Sequence, residues 1–114
     1  MFRNVVIDCQ NLEGQATFWS ALSGFERRWS DESYVLLVDP SQSYPRILLQ
    51  QVPEGKQVKN RLHLDFEVPD MIAEVERLSG LGATRVEQRD HHGPYTVMQD
   101  PEGNELCIVQ ERPR

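Results

Sequence analysis

The stretch Arg61-Leu-His-Leu-Asp-Phe-Glu-Val-Pro-Asp70 decides the fold of this chain. Apolar and polar residues alternate along it, and a period of two predicts a β-strand over Leu62–Val68. One face of that strand would be apolar and would pack on a helix. The other face would carry three polar side chains, those of His63, Asp65 and Glu67. Burial of such a face is costly unless it is wet or functional, so the face either lines a pocket or meets bulk solvent.

The order of elements around this strand occurs twice in the chain. Asn4–Asn11 aligns with His63–Asp70 at a spacing of 59 residues, and Tyr34–Pro40 aligns with Tyr95–Pro101 at a spacing of 61. Asn11 and Asp70 are predicted N-caps, and Gly24 and either Gly80 or Gly82 would end the helices. The predicted strands cover 4–9, 25–30, 34–39, 46–52, 62–68, 84–88, 95–99 and 106–110; the helices are 12–22 and one marked by Ile72, Val75 and Leu78.

This duplication of a βαβββ unit predicts an α+β fold. Two tandem modules would form a partly open eight-stranded barrel with the helices outside, and the polar strand faces would line a central cavity. The 114 residues fit one domain. Module one would cover about 1–53 and module two about 60–114, joined by a polar linker over 53–60.

Composition limits the classes of partner. The net charge of −6 argues against nucleic acid and anionic membranes as partners, because both need basic patches. Cys9 and Cys107 suggest reduced thiols in a cytoplasmic protein, and neither a signal peptide nor a membrane helix is expected. No phosphate-binding glycine loop or serine-hydrolase motif is present in the sequence, so nucleotide and serine-hydrolase chemistry have no support.

Several motifs together resemble the vicinal oxygen chelate superfamily, the fold of glyoxalase I, bleomycin-resistance proteins, fosfomycin-resistance enzymes and extradiol dioxygenases. They are the paired modules, Phe18-Trp19 on the first helix, Lys59-Asn-Arg-Leu-His-Leu-Asp65, and Asp100-Pro-Glu-Gly-Asn-Glu-Leu-Cys107. The resemblance covers nearly the whole chain, and it is closest to small bacterial glyoxalase-like domain proteins. It is specific for the fold and says little about the reaction.

The resemblance implies a divalent metal held by the first and last strands of each module. His63 is a good ligand in the expected place, but Asn4 is a poor ligand at the equivalent position of module one. Cys107 stands where a glutamate is usual, and the last strand of module one offers Ile47 or Leu48. His63 is therefore the only retained ligand position, and we assign no metal or other cofactor.

A zinc ion on His63 and Cys107, with Asp8 or Asp65 as third ligand, is the alternative. The favoured interpretation of His63 is a neutral cavity histidine hydrogen-bonded to Asp65, Glu67 or a ligand. His91 and His92 are expected in a solvent-exposed turn.

Seven residues are predicted to contact a ligand in the cavity: Asp8, Trp29, His63, Asp65, Glu67, Glu105 and Cys107. Clustered carboxylates should raise one another's pKa and could supply a general base or a socket for a cation. Alternatively, some of them are solvated at the barrel mouth or paired with Arg46, Lys59 or Arg61. Phe18 and Trp19 are expected in the core or a dimer interface, and Cys107 as a buried, inert thiol.

These observations predict a cytoplasmic, homodimeric protein that binds a small and possibly cationic organic molecule without metal. The alternative is an enzyme, a glyoxalase-like lyase or isomerase. It would use either a degenerate metal site or His63 and a carboxylate, best Glu67, for proton transfer.

Overall fold

The computed structural model describes residues 1–112, and within them the chain forms two helices and eight strands. In chain order the elements are β1 (Asn4–Cys9), α1 (Leu12–Ser23), β2 (Glu26–Ser30), β3 (Tyr34–Val38), β4 (Arg46–Gln51), β5 (Asp65–Val68), α2 (Met71–Gly80), β6 (Thr84–Asp90), β7 (Pro94–Gln99) and β8 (Glu105–Gln110). Neither helix is long and apolar enough to cross a membrane.

Each half of the chain forms its own four-stranded sheet with the same topology. The strand order is β1-β4-β3-β2 in the first sheet and β5-β8-β7-β6 in the second. In both sheets the first and last strands of the module run parallel and the remaining pairs are antiparallel. The predicted α+β fold of two tandem βαβββ modules is therefore confirmed. The chain divides into two compact units, Met1–Gly55 and a second that begins at Lys56.

Both helices begin at the predicted caps. The side chain of Asn11 accepts a hydrogen bond from Gly14 N at 3.0 Å, and that of Asp70 accepts one from Ala73 N at 3.1 Å. These contacts satisfy backbone donors that the first helical turn leaves without partners. Gly24 ends α1 with φ of 76°, in the left-handed region where a side chain is strained. The predictions for these helix ends are confirmed.

Each helix packs on one face of its own sheet. In module one the buried residues of the strands alternate, with Val35, Leu37, Ile47 and Leu49 against α1, where Phe18 and Trp19 are 1% and 2% exposed. In module two, Leu106 and Ile108 lie on the α2 side of β8. We call the opposite face of each sheet the distal face. It carries Asn4, Val6 and Asp8 on β1 and Asp65 and Glu67 on β5, each with its register partners on the neighbouring strands.

Two predictions within module two are wrong. The strand expected from Leu62 begins only at Asp65, and Leu62 is 88% exposed instead of packing on the helix. Ile72 was expected on the apolar face of α2, yet it is 71% exposed, and Met71 and Leu78 are the buried residues of that helix. Leu62 lies outside the strand because pairing with β8 begins only at Asp65. The helix is present as predicted, but its contacts with the sheet cover a different face from the one that Ile72 marks.

Candidate functional site

The distal face of module two brings three of the predicted residues together. Asp65 begins β5 and is the register partner of Cys107 in β8, so their side chains are neighbours on one face. His63 lies just before β5, and its Nδ1 is near the Asp65 carboxylate, so it lies on the same side. Cys107 N donates to Leu64 O at 2.9 Å, and this bond fixes the segment before β5 against β8. We call His63, Asp65 and Cys107 the distal triad.

The donor atoms of the distal triad are close enough to act together. One ligand atom from each residue lies within 4.8 Å of the others, and His63 Nδ1 is 3.5 Å from Asp65 Oδ1. His63 and Asp65 are exposed, with 44% and 61% of their side chains accessible, whereas Cys107 is 6% exposed. The triad therefore presents an imidazole and a carboxylate above a covered thiol.

Cys107 is a protonated thiol at neutral pH. Burial, which disfavours the thiolate, raises its pKa to about 11, and the charge of Asp65 and a hydrogen bond to that carboxylate act in the same direction. A thiol with this pKa is a poor nucleophile, because the thiolate is the reactive form. This agrees with the expectation of a buried and inert cysteine.

Glu105 is held by residues that the sequence did not point to. Its Oε2 lies 2.9 Å from Lys56 Nζ, and its Oε1 accepts a hydrogen bond from Asn60 N at 2.7 Å. Burial raises the pKa of Glu105, but the Asn60 hydrogen bond and the charge of Lys56 outweigh it, so the pKa lies below its usual value. The expectation that clustered carboxylates raise one another's pKa is wrong for Glu105, because its nearest charge is a cation.

The other three predicted residues are exposed and lie on distal faces. Glu67 lies on β5, two positions beyond Asp65. Asp8 lies on β1 of module one, with Gln50 as its register partner. Trp29 is 52% exposed on β2 and is paired with Leu36. It ends an apolar row across the first sheet, formed in order by Val6, Leu48, Leu36 and Trp29.

The register resolves which residue of β4 corresponds to Cys107. Asp65 pairs with Cys107, and Val6, its counterpart at the spacing of the duplication, pairs with Leu48. Leu48 therefore lies on the distal face, while Ile47 is 3% exposed on the helix side. In module one the positions that match the distal triad are Asn4, Val6 and Leu48, and Asn4 Oδ1 accepts a hydrogen bond from Arg46 Nε at 2.9 Å.

These positions do not fit the four-ligand metal centre that the resemblance implies. An aliphatic side chain donates no electron pair, and the oxygen of Asn4 is already used by a guanidinium. Module two alone offers a nitrogen, an oxygen and a sulfur, a donor set that suits zinc. A tetrahedral zinc site needs ligand atoms roughly 3.4–3.8 Å apart, from bond lengths of about 2.0–2.3 Å, so the distal triad would fit after small side-chain rotations.

The sequence pattern did not indicate Lys56 and Asn60, because both lie before β5 in a polar segment without helix or strand. They lie in the segment between β4 and β5, far from Glu105 in the chain. Such partners are set by the tertiary fold, and a lysine in a polar linker carries no local signal of its partner. Through its contacts with Lys56 and Asn60, Glu105 attaches to β8 the segment that precedes His63.

Comparison with known proteins agrees with the fold. The family of glyoxalase-like domains matches residues 4–109, and a search of curated proteins finds no match. A glyoxalase/bleomycin resistance protein/dioxygenase family enzyme from Burkholderia phytofirmans PsJN is similar with a TM-score of 0.79 and 18% identity, over 96% of this chain and 97% of that one. The fosfomycin resistance protein FosX from Listeria monocytogenes has a TM-score of 0.79 and 13% identity, over 98% and 93%.

A glyoxalase/bleomycin resistance protein from Albidiferax ferrireducens T118 is similar with a TM-score of 0.71 and 20% identity, over 98% of this chain and 99% of that one. At these identities the solved structures establish a common fold and carry no assignment of a reaction. The family match covers nearly the whole chain and includes all the strands of both sheets except the last residue of β8. This chain belongs to the glyoxalase-like domain family.

Proposed function

We propose that the protein binds a small organic molecule on the distal face of module two and does so without the four-ligand metal centre of its superfamily. The observation that carries the proposal is the contrast between the two modules at equivalent register positions. Module two presents an imidazole and a carboxylate beside a thiol, whereas module one presents an amide and two aliphatic side chains.

The charge of this face favours a cationic ligand. Asp65 and Glu67 lie two positions apart on β5, roughly 6.6 Å along the strand, and both are exposed. Glu105 adds little to the attraction, because Lys56 neutralises it. A ligand with one positive group could contact both exposed carboxylates, with His63 as a further hydrogen-bonding partner.

The names of similar proteins support binding of small molecules. Solved structures of this fold include proteins named for resistance to fosfomycin and for resistance to bleomycin. The E126Q mutant of FosX from Listeria monocytogenes was solved with Mn(II) and 1S,2S-dihydroxypropylphosphonic acid. We propose that this protein shares the general capacity to hold a compact organic ligand, and that its own ligand differs with its own residues.

A second candidate function is a zinc-dependent lyase or isomerase. It is favoured by the convergence of the distal triad within 4.8 Å. Zinc bound there would act as a Lewis acid on an oxygen of the substrate. His63, Asp65 and Cys107 would hold the zinc, and Glu67, on the same face, would accept or hold a proton at its carboxylate.

Metal content separates the two candidates. The protein should be purified without chelator or histidine tag, analysed for metal by mass spectrometry, and heated with Zn²⁺, Mn²⁺ and Ni²⁺. Metal-free binding predicts substoichiometric metal and no change in melting temperature. Stoichiometric zinc that is lost in His63→Ala and Cys107→Ser, and retained in the control His91→Ala in the exposed β6–β7 turn, would overturn the first candidate and support the second.

Binding itself is tested with an organic cation. Benzyltrimethylammonium should shift the amide resonances of residues 65–67 and 107 in a nitrogen–proton correlation spectrum. The double variant Asp65→Asn/Glu67→Gln should weaken the effect about tenfold, since it removes both charges. Glu76→Gln, an exposed carboxylate of α2, is the matched control and should leave the titration unchanged. Equal binding by the double variant and the control would refute the role of the two carboxylates.

We also propose that the protein is a cytoplasmic homodimer. Cys9 and Cys107 are buried and form no disulfide within the described residues, and unlinked cysteines are usual in a reducing compartment. The dimer rests on the family resemblance. Light scattering coupled to size exclusion tests it, and a mass of 13.2 kDa across the concentration range would refute it.

A further inference from the structure

We propose that module one carries a second ligand site, an arginine-lined cleft for a small organic anion. The cleft has a volume of about 570 Å³, within the range that small-molecule sites occupy. Its charged lining side chains are those of Arg3, Arg28 and Arg46, and no carboxylate is among the lining side chains. Every lining residue belongs to module one and none to the distal triad, so the inference rests on residues other than those of the proposed function above.

The cleft is lined by positive charge although the module that contains it has a net negative charge. The first 55 residues contain seven acidic side chains and only four basic ones, Arg3, Arg27, Arg28 and Arg46. Three of those four line the cleft. The fourth, Arg27, points its guanidinium at Glu13 on α1 and makes two hydrogen bonds of 2.8 and 3.0 Å to that carboxylate.

Arg27 and Arg28 are neighbours in β2, yet they have opposite surroundings. The register of β2 against β3 shifts between Arg27 and Trp29, a bulge that inserts Arg28 as an extra residue. A bulge redirects the side chain of the inserted residue. Arg27 pairs with a carboxylate and Arg28 lines the cleft, where the described residues give it no ion pair. The local backbone therefore directs the second arginine to the cleft.

Arg3 and Arg46 are brought together where the residue before β1 bonds to the first residue of β4. Arg46 N donates to Arg3 O at 2.9 Å, at the start of the parallel pairing of β1 and β4. Arg46 Nε donates to Asn4 Oδ1, which orients the guanidinium and does not use its two terminal amino groups. A planar guanidinium held in this way can donate to both oxygens of a carboxylate, phosphate or phosphonate.

The turn after β3 supplies polar and aromatic groups to the same cleft. Asp39 accepts hydrogen bonds from Ser41 N, Ser41 Oγ and Ser43 N, and these contacts, led by that of the Ser41 hydroxyl, hold its pKa below the usual value although burial acts to raise it. Asp39 is thus occupied in shaping the turn. The turn places Ser43 and Tyr44 on the rim of the cleft.

Apolar side chains complete the walls. Leu36 and Val38 of β3 line the cleft, and so do Phe2 and Pro45. A ligand that satisfies both parts of the site has an anionic head for the arginines and an apolar or aromatic body for these walls. We therefore infer that the cleft takes a small carboxylate, phosphate or phosphonate ester with an apolar group, and not an inorganic ion alone.

The experiment titrates the protein with benzoate and phenylphosphonate while following its nitrogen–proton correlation spectrum. Amides at positions 28, 36 and 43 should shift with both anions. Benzamide, which has the shape of benzoate without its charge, should bind at least tenfold more weakly. Arg28→Gln and Arg3→Gln should each weaken benzoate binding about tenfold, the effect of one lost charge-assisted contact. The same spectra verify that the variants are folded.

Arg27→Gln is the matched control, because it removes an equal charge from the adjacent position of β2 but not from the cleft. It should leave benzoate binding within twofold of the wild type. Three results would overturn the proposal: no shift at about 10 mM of either anion, equal binding of benzamide and benzoate, or the same loss in Arg27→Gln as in Arg28→Gln.

Discussion

Removal of the Glu105 carboxylate should destabilise module two and loosen the segment that carries His63. Glu105 is 8% exposed, and its partner Lys56 is 18% exposed. Glu105→Ala removes the bond to Asn60 N, a charge-assisted contact of about 1.5–3 kcal/mol. It also leaves the Lys56 ammonium without its counter-charge. Breaking a buried pair costs about 3–5 kcal/mol, and the partial exposure of Lys56 reduces this.

Together these terms predict a loss of about 3 kcal/mol in the free energy of unfolding for Glu105→Ala. Glu105→Gln keeps an oxygen for Asn60 N and should lose about half as much. The assay is urea unfolding at pH 7 for the wild type and both variants. Glu67→Ala is the control, since it removes an exposed carboxylate from the same face and should change stability by no more than about 0.5 kcal/mol.

The pH dependence provides an independent test of the same contact. The pKa of Glu105 is lower in the folded protein than in the unfolded chain, so its contribution is present above the unfolded pKa. That contribution disappears as the pH falls through the folded pKa, so the gap between wild type and Glu105→Ala should narrow as the solution is acidified. A cost under about 0.5 kcal/mol at pH 7, or a gap that does not change with pH, would refute this reasoning.

Three further outcomes are expected. Leu78→Ala should lower the free energy of unfolding by about 2–5 kcal/mol because Leu78 is 0% exposed. Ile72→Ala on the same helix should cost less than about 1 kcal/mol, and equal losses in urea unfolding would contradict the assigned face of α2. Asn11→Ala and Asp70→Ala should each lower the free energy of unfolding by about 1 kcal/mol, seen as a lower melting temperature. An unchanged melting temperature would show that the capping bond is absent in solution. Alkylation of Cys107 by iodoacetamide in a Cys9→Ser background should be slow at pH 8 and accelerate toward pH 11, because the pKa of the thiol is raised to about 11. The stability that this thiol contributes is present below its unfolded pKa and is lost as the pH rises through its folded pKa. Asp65→Asn should speed the reaction at pH 8, and an unchanged rate would show that the Asp65 charge has no influence on the thiol.

The parts of the fold that depend on neighbouring residues could be predicted from the sequence. The caps at Asn11 and Asp70 need only the side chain and the three residues that follow. The duplication is visible as repeated spacing, and it predicts the order of the elements in both modules. Alternation along β1 and β5 correctly assigns Asp8, Asp65 and Glu67 to one kind of face.

The parts that depend on long-range pairing could not be predicted. The choice between Ile47 and Leu48 needed the register of β4 against β1, which no local pattern specifies. Leu62 continues the alternation of β5, yet pairing of that strand with β8 starts only at Asp65. The alternation can be read from the sequence, whereas the end of a strand depends on where its pairing with the neighbouring strand stops.

The two candidate sites also differ in whether they could be predicted from the sequence. The distal triad could be predicted because His63 and Cys107 occupy positions that the family resemblance points to, and the alternation of the strand places Asp65 on the same face as His63. The arginine cleft could not, since Arg3, Arg28 and Arg46 lie on three different segments and only the pairing of β1 with β4 and the bulge in β2 bring them to one place. A signal did exist in the sequence: only four basic side chains occur among the first 55 residues, and their positions could have been compared.

The contrasting exposure of the two tryptophans makes the protein its own fluorescent reporter. Trp19 is 2% exposed inside module one, and Trp29 is 52% exposed beside Leu36, a wall of the arginine cleft. The native emission spectrum should therefore be the sum of a blue-shifted and a red-shifted component. Trp29→Phe leaves one indole that reports loss of the core, and Trp19→Phe leaves one that reports events at the cleft, so unfolding and ligand binding can be followed separately in unlabelled protein.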